Sequence, residues 1–134
     1  MAKKPTYRSR PEAAIQKRII VMLRDRGWFV RATHGNAYQR GFPDLFAFNR
    51  SFEKLPWGAL RWIDCKVKGK YRYTKAQCQE WPIWEANDVG IWIMFEGDDE
   101  NYKNLFQPPN FREFWKPSYD KFTTPVQEIL KELE

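Results

Sequence analysis

The sequence predicts an α/β fold with the order helix, three strands, helix, strand. Three features lead there: an opening apolar stripe of helical period, three short strand-like segments set between turn signals, and a second helical stretch before a fourth strand. "SRPEAAIQKRIIVMLRDRG" repeats apolar residues at Ile15, Ile19, Met22 and Leu23 and stops at Gly27, the pattern of an amphipathic helix closed by a glycine. "WFVRAT" reads as a strand, "HGNAYQRGFP" as a loop, and "DLFAFN" as a second strand beyond the turn set by Gly41 and Pro43. "RSFEKLPWGA" connects, as a hairpin tip, to "LRWIDCKV", the third strand. "TKAQCQEWPIWEAND" is the second helix, capped by Thr74 and expected to kink at Pro82, and "VGIWIMFEG" is the fourth strand. A strand reached through a helical crossover lies parallel to its neighbour, so a mixed sheet is expected. After Gly97 come acidic "DDE", then "NYKNLFQPPNFREFWKP", then a short helix expected from Thr124 to Glu134.

A chain of 134 residues is the size of one domain and can bury a core without disulfides or metals. Its 43% apolar content, rich in Trp, Phe and Tyr, excludes a disordered tail. No apolar run approaches the ~20 residues of a membrane helix. "MAKKPTYRSRPEAA" is basic but has no apolar segment behind it, so no secretory signal is expected, and residues 1–9 are expected to form a flexible arm. Cys65 and Cys78 fit neither a disulfide framework nor a zinc spacing, and the single His34 supplies no second ligand. A reducing, intracellular setting follows as the expectation. The net charge of +6 favours a polyanionic partner, although many basic proteins bind none.

The chemistry-bearing residues emerge once these elements are laid down. In "WIDCKVKGKYRY", strand alternation puts Asp64 and Lys66 on one face and Ile63, Cys65 and Val67 on the other. The plain alternative is a solvated face with a weak salt bridge. Glu12 lies three residues before Ile15 and seven before Ile19, so it shares the apolar face of the first helix; it also completes a capping box, "SRPE", with Ser9. Asp44 opens a strand after a Gly-x-Pro turn, where a turn role is the commoner one. Carboxylates gathered at a sheet edge repel one another unless a cation sits among them. Magnesium suits such a site, since it takes carboxylate and carbonyl oxygens and keeps several waters, and the Cys65 backbone carbonyl offers one more oxygen. A thiol nucleophile at Cys65 is rejected: alternation turns the side chain away, and no histidine partner is near in sequence.

"GFPDLFAF" followed by "WIDCK" resembles the PD-(D/E)XK nuclease signature. Together with "EAAIQKRIIVMLRDRGW", "RATHGNAYQRGFPDL" and "YTKAQCQEW" it is similar to the VRR-NUC branch, the virus-type replication-repair nucleases, over about residues 9 to 97. That resemblance implies a restriction-endonuclease-like core over residues 10–97 with a C-terminal extension over 98–134. It implies Asp44 and Asp64 as ligands of Mg2+, with Mn2+ able to substitute, Glu12 as a helix-borne carboxylate reaching the metal through water, and Lys66 as the catalytic lysine. Gln77 matches the family's glutamine in the helix after the core strand, and it also forms a capping box, "TKAQ", with Thr74. Asp64 departs from the branch, where glutamate is the more usual second acid. Stand-alone members are known from phages, form homodimers and cut branched DNA such as Holliday junctions, so a cytoplasmic enzyme acting in a bacterial host is what the resemblance implies.

Lys68, Lys70, Arg72 and Lys75, interleaved with Tyr71 and Tyr73, suit a phosphate track with rings that stack on unpaired bases; a solvated loop is the alternative. Arg31, His34, Asn36 and Arg40 form a second candidate DNA-contact set. Trp81 and Trp84 are expected to pack the second helix onto the sheet. Phe106, Phe111, Phe114 and Trp115 are a candidate dimer interface, against the simpler expectation that they close the core. Two other readings stand beside the branched-DNA nuclease: a sequence-specific or homing endonuclease whose C-terminal segment reads bases, and a DNA-binding module of the same fold without catalysis.

Overall fold

The computed structural model describes residues 10–33 and 40–123. The expected flexible arm, Ser9, His34, Asn36 and the expected C-terminal helix lie outside those residues.

Helix α1 (Arg10–Asp25) leads into strand β1 (Phe29–Ala32); β2 (Leu45–Phe48) and β3 (Leu60–Cys65) follow, then α2 (Lys75–Ala86), β4 (Ile91–Met94) and a short helix α3 (Asp99–Asn104). The four strands form one sheet in the order β1-β2-β3-β4. β1 and β2 pair antiparallel, as do β2 and β3, whereas β4 lies parallel to β3. This is the α/β plan with a mixed sheet read from the sequence. The right-handed crossover logic explains it: β3 and β4 are joined by a helix, and only a parallel return lets α2 pack on the sheet they share.

Two cores flank the sheet. On one face Ile15, Ile19, Met22 and Leu23 of α1 meet Val30, Leu45, Ala47, Ile63, Cys65, Trp92 and Met94, all buried. Their spacing is the helical stripe against the alternate residues of each strand. On the other face Cys78 and Trp81 of α2 cover Ile91 and Ile93, together with Tyr73, Phe111 and Tyr119. Trp81 is fully buried, and Trp84 stands edge-on to Trp62 at 5.1 Å, so both tryptophans take the packing role expected of them. α2 runs unbroken through Pro82, whose ring occupies a buried position. The segment after β4 closes this second core: Phe111 is buried, Tyr119 stacks on Tyr73 at 5.2 Å, and Phe114 and Trp115 pack against the same cluster. Phe106 joins the first core instead. These rings therefore pack within the chain, Phe111 buried and Phe106, Phe114 and Trp115 half-buried.

β4 is buried along its whole length, but β1 and the start of β3 are not. On the α2 side of the sheet, Phe29, Phe48 and Leu60 stay 41–43% exposed because α2 reaches only the β3–β4 half.

Candidate active site

Asp44 and Asp64 face each other across the ends of β2 and β3. The register that pairs Leu45 with Ile63 continues one step to set Asp44 opposite Asp64. Backbone and side chain lock the two together: the Asp44 N–H donates to Asp64 Oδ1 (3.2 Å), and the Cys65 N–H donates to Asp44 Oδ2 (2.8 Å). One step further the register sets Pro43 opposite Cys65, and proline has no N–H to offer the Cys65 carbonyl. The Pro43 carbonyl accepts instead from the Thr33 hydroxyl. The Pro-Asp dipeptide thus ends the ladder where a carboxylate takes over from the backbone.

Asp64 is fully buried and Lys66 is 4% exposed, so the solvated-face reading of this pair does not hold. Asp64 Oδ2 lies 2.8 Å from the Lys66 ammonium. Gln77 joins both: its Nε2 donates to Asp64 Oδ1 (3.2 Å), and its Oε1 accepts from Lys66 Nζ (2.9 Å). The same Oε1 accepts from the Thr74 N–H, while the Thr74 hydroxyl accepts from the Gln77 N–H, which completes the capping box of α2. One side chain thus caps α2 and bridges Asp64 and Lys66. Its amide can point only one way, since the carboxylate needs a donor and the ammonium an acceptor.

Burial works to lower the Lys66 pKa, yet Asp64, by charge and hydrogen bond, and then Asp44 and Glu12 outweigh it, so the ammonium is held above its ordinary value. Asp64 touches the lysine from β3, and Asp44 and Glu12 act on it by charge from the turn before β2 and from α1. Tyr73 and Trp81 line the lysine's other side, with ring centroids 5.3 and 5.8 Å from Nζ. Of the residues read as catalytic, Asp44, Asp64, Lys66 and Gln77 are joined by hydrogen bonds and one ion pair, while Glu12 acts on Lys66 by charge.

α2 also fixes the turn that precedes Asp44. The Trp81 indole donates to the Gly41 carbonyl at 2.6 Å, and Gly41 sits at φ 80°, where a Cβ would come within 2.9 Å of the Ala76 carbonyl. Only glycine fits both the left-handed backbone and the contact.

Among the described residues, no three His, Cys, Asp or Glu side chains stand close enough to enclose a metal ion. Asp44 and Asp64 offer an all-oxygen pair, and a hard divalent ion that keeps its waters needs only one or two carboxylates. The donor chemistry fits magnesium or manganese, with Lys66 lying beside the pair.

The basic track splits in two. Lys68, Lys70, Arg72 and Lys75 are exposed, as are Arg31 and Arg40. Tyr73 is not available: it is 3% exposed, donates to the Phe111 carbonyl at 2.6 Å and stacks on Tyr119, so the base-stacking role read for it is corrected to a core role. Tyr71 is half-buried, with Phe95 and Phe114 edge-on and the Lys116 ammonium 4.7 Å from its ring. Lys116 thus adds a positive charge to the track from 45 residues away, and nothing in its local sequence marks it.

Sequence reasoning also passed over Arg61. It is fully buried, donates from Nε to the Leu105 carbonyl (2.8 Å) and from Nη1 to the carbonyls of Gly58 (2.7 Å) and Leu60 (2.9 Å), and lies over the Trp92 ring at 4.9 Å. The signal was present, because alternation puts Arg61 on the same face as Ile63 and Cys65.

No protein-family model, no curated protein and no solved structure matches this chain.

Proposed function

We propose that this chain is a metal-dependent DNA endonuclease with a restriction-endonuclease-like core, cutting phosphodiester bonds in branched DNA as a Holliday junction resolvase does. The observation that carries the reading is the bonded cluster of Asp44, Asp64, Lys66 and Gln77, four of the five positions that the VRR-NUC resemblance singles out, drawn from three stretches of chain, with Glu12 acting on Lys66 by charge.

Asp44 and Asp64 would hold Mg2+, or Mn2+ in its place, with the Cys65 carbonyl as a further oxygen and Glu12 reaching it through water; the ion supplies polarisation of the phosphate and a lowered pKa for the attacking water. The chain's own part is positional. Lys66, in contact with Asp64, offers an N–H donor and positive charge to a phosphate oxygen. Gln77 holds that ammonium in place, so the donor is preorganised before substrate arrives. Lys68, Lys70, Arg72 and Lys75 lie on the surface just after β3, where they would hold the sugar-phosphate backbone without reading sequence. A homodimer with two sites would match the two strands to be cut at a four-way junction, and a cytoplasmic setting in a phage-infected bacterium follows from the same resemblance.

One observation favours a second reading, a DNA-binding module without catalysis: Asp64 is fully buried and its carboxylate is already engaged by Asp44, Gln77 and Lys66. The homing-endonuclease reading loses ground, because the segment that would read bases packs Phe111 and Tyr119 into the core. The deciding experiment is cleavage of a labelled four-way junction beside a linear duplex of the same sequence, with Mg2+, Mn2+ and EDTA, for the parent chain and Asp44→Asn. Paired metal-dependent nicks at the junction, lost in the variant, are expected. Binding without cleavage under every metal condition would establish the module instead.

A further inference from the structure

The exposed aromatic face of the sheet runs directly into the carboxylate pair. On β2 the α2-side residues are Phe48, Phe46 and then Asp44; on β3 they are Leu60, Trp62 and then Asp64; on β1 they are Phe29 and Arg31, opposite Phe48 and Phe46. Phe29 and Phe48 stack at 4.6 Å and are 42% and 41% exposed, and the Arg31 guanidinium lies 4.4 Å over the Phe29 ring. Phe46 and Trp62 continue the row at 5.7 Å, and with Phe48, Ala59 and Leu60 they line a shallow concavity.

We infer that this face is a base-stacking platform for an unpaired DNA strand leading into the site, so that branched DNA with a single-stranded arm beside the cut is a substrate in addition to the fully paired four-way junction. The inference rests on the nuclease reading and adds the substrate class to it. Successive rings along a strand face are about 7 Å apart, since each residue advances ~3.4 Å and alternate residues share a face. That is twice the ~3.4 Å step between stacked nucleotides of a duplex, so a strand that follows the rings is extended and unpaired. A duplex hides the faces of its bases, whereas an unpaired strand exposes them to flat aromatic side chains. Arg31 supplies the matching cation within the patch, and a guanidinium over a ring adds stacking surface of its own. A second copy of this chain is the other occupant such a face invites. It is disfavoured at this face because it would bring the Arg31 guanidinium groups of both copies into the contact.

The test is equilibrium binding of a fluorescein-labelled oligothymidylate and of a blunt duplex to the full chain in EDTA, for the parent, Phe29→Ala/Phe48→Ala and Phe29→Leu/Phe48→Leu, with sedimentation velocity on each. Both phenylalanines are over 40% exposed, so neither variant removes core packing. Stacking contributes about 1–3 kcal/mol per base, so the alanine variant should bind the single strand at least tenfold more weakly, with duplex binding unchanged. The leucine variant keeps apolar surface but lacks a π face and should be weakened as well. Equal single-strand binding by parent and alanine variant overturns the platform. A parent dimer that becomes monomeric in the variant, with single-strand affinity intact, identifies a self-association face instead. Because no cleavage is measured, failure of the nuclease reading leaves this result legible on its own.

Discussion

Two buried cations sit five residues apart on β3 and its continuation, and their surroundings are opposite. Arg61 is held by neutral backbone carbonyls of Gly58, Leu60 and Leu105 and by the Trp92 ring. Lys66 is surrounded by carboxylates, with Asp64 in contact and Asp44 and Glu12 beyond. Burial pushes the Arg61 pKa down, but a guanidinium stays charged, so it serves as a permanent clasp between β3, the loop before it and the end of α3. At Lys66 the neighbours win over burial. A charge fixed by carbonyls has nothing to exchange with a ligand, while a charge fixed by carboxylates is poised to trade partners when a phosphate or metal arrives.

The largest contrast should appear in activity. Lys66→Met is expected to lower the cleavage rate at least 100-fold, the scale of losing one preorganised transition-state donor. Arg61→Met should leave the rate per folded molecule near that of the parent; single-turnover kinetics on the labelled junction compare the two. Stability should reverse the order. Arg61→Ala takes the donor from the buried Leu105 carbonyl and from the part-buried carbonyls of Gly58 and Leu60 and is expected to cost about 3 kcal/mol, read as a Tm drop of roughly 10 °C in thermal unfolding. An Arg61→Ala chain as stable as the parent would remove the clasp from the comparison.

Gln77 belongs to both kinds of surroundings, and Thr74 separates them. Thr74→Ala removes the cap and should cost about 1 kcal/mol while leaving Lys66 its amide partner. Gln77→Leu loses the cap bond and also the contacts to Lys66 and Asp64, so its cleavage rate should fall well below that of Thr74→Ala at matched folded fraction. The smallest effect is one of pH. Burial, and then the Asp64 charge, raise the Tyr73 phenol above its ordinary pKa. A raised folded pKa means that the stability is complete below the unfolded value of ~10 and declines as pH climbs past it, by at most ~1.4 kcal/mol per pH unit for one group. Denaturant titrations from pH 9 to 11 should show that decline, and a shallower one in Tyr73→Phe.

The sequence was most legible where chemistry and local pattern coincide. Strand alternation puts Asp64 and Lys66 on one face and helical period turns Glu12 toward the sheet, while the full set with Asp44 and Gln77 is what the VRR-NUC resemblance implies. Tyr73 was misread for the complementary reason: it lies in a basic loop-like run, and what buries it is Tyr119, 46 residues on. The same distance hid the fate of Phe111 and Trp115, whose partners Tyr73 and Trp81 lie in an earlier part of the chain. Arg61 was passed over because an arginine in a strand is ordinarily a surface residue; its cage of carbonyls depends on Leu105, which no local pattern connects to it. The open aromatic face escaped notice because alternation foretells two faces but not how far a helix reaches across one of them.

The Lys66 N–H completes its backbone bonding only by donating to the Met94 carbonyl at the end of β4. A ribosome delivers Glu12, Asp44, Asp64, Lys66 and Gln77 first and β4 afterwards. The stretch that carries the lysine therefore lacks its parallel neighbour for as long as residue 94 is still inside the exit tunnel. The cluster of Asp44, Asp64, Lys66 and Gln77 is therefore completed late in synthesis, and a product truncated before residue 94 would hold those side chains without the strand that anchors the lysine's backbone.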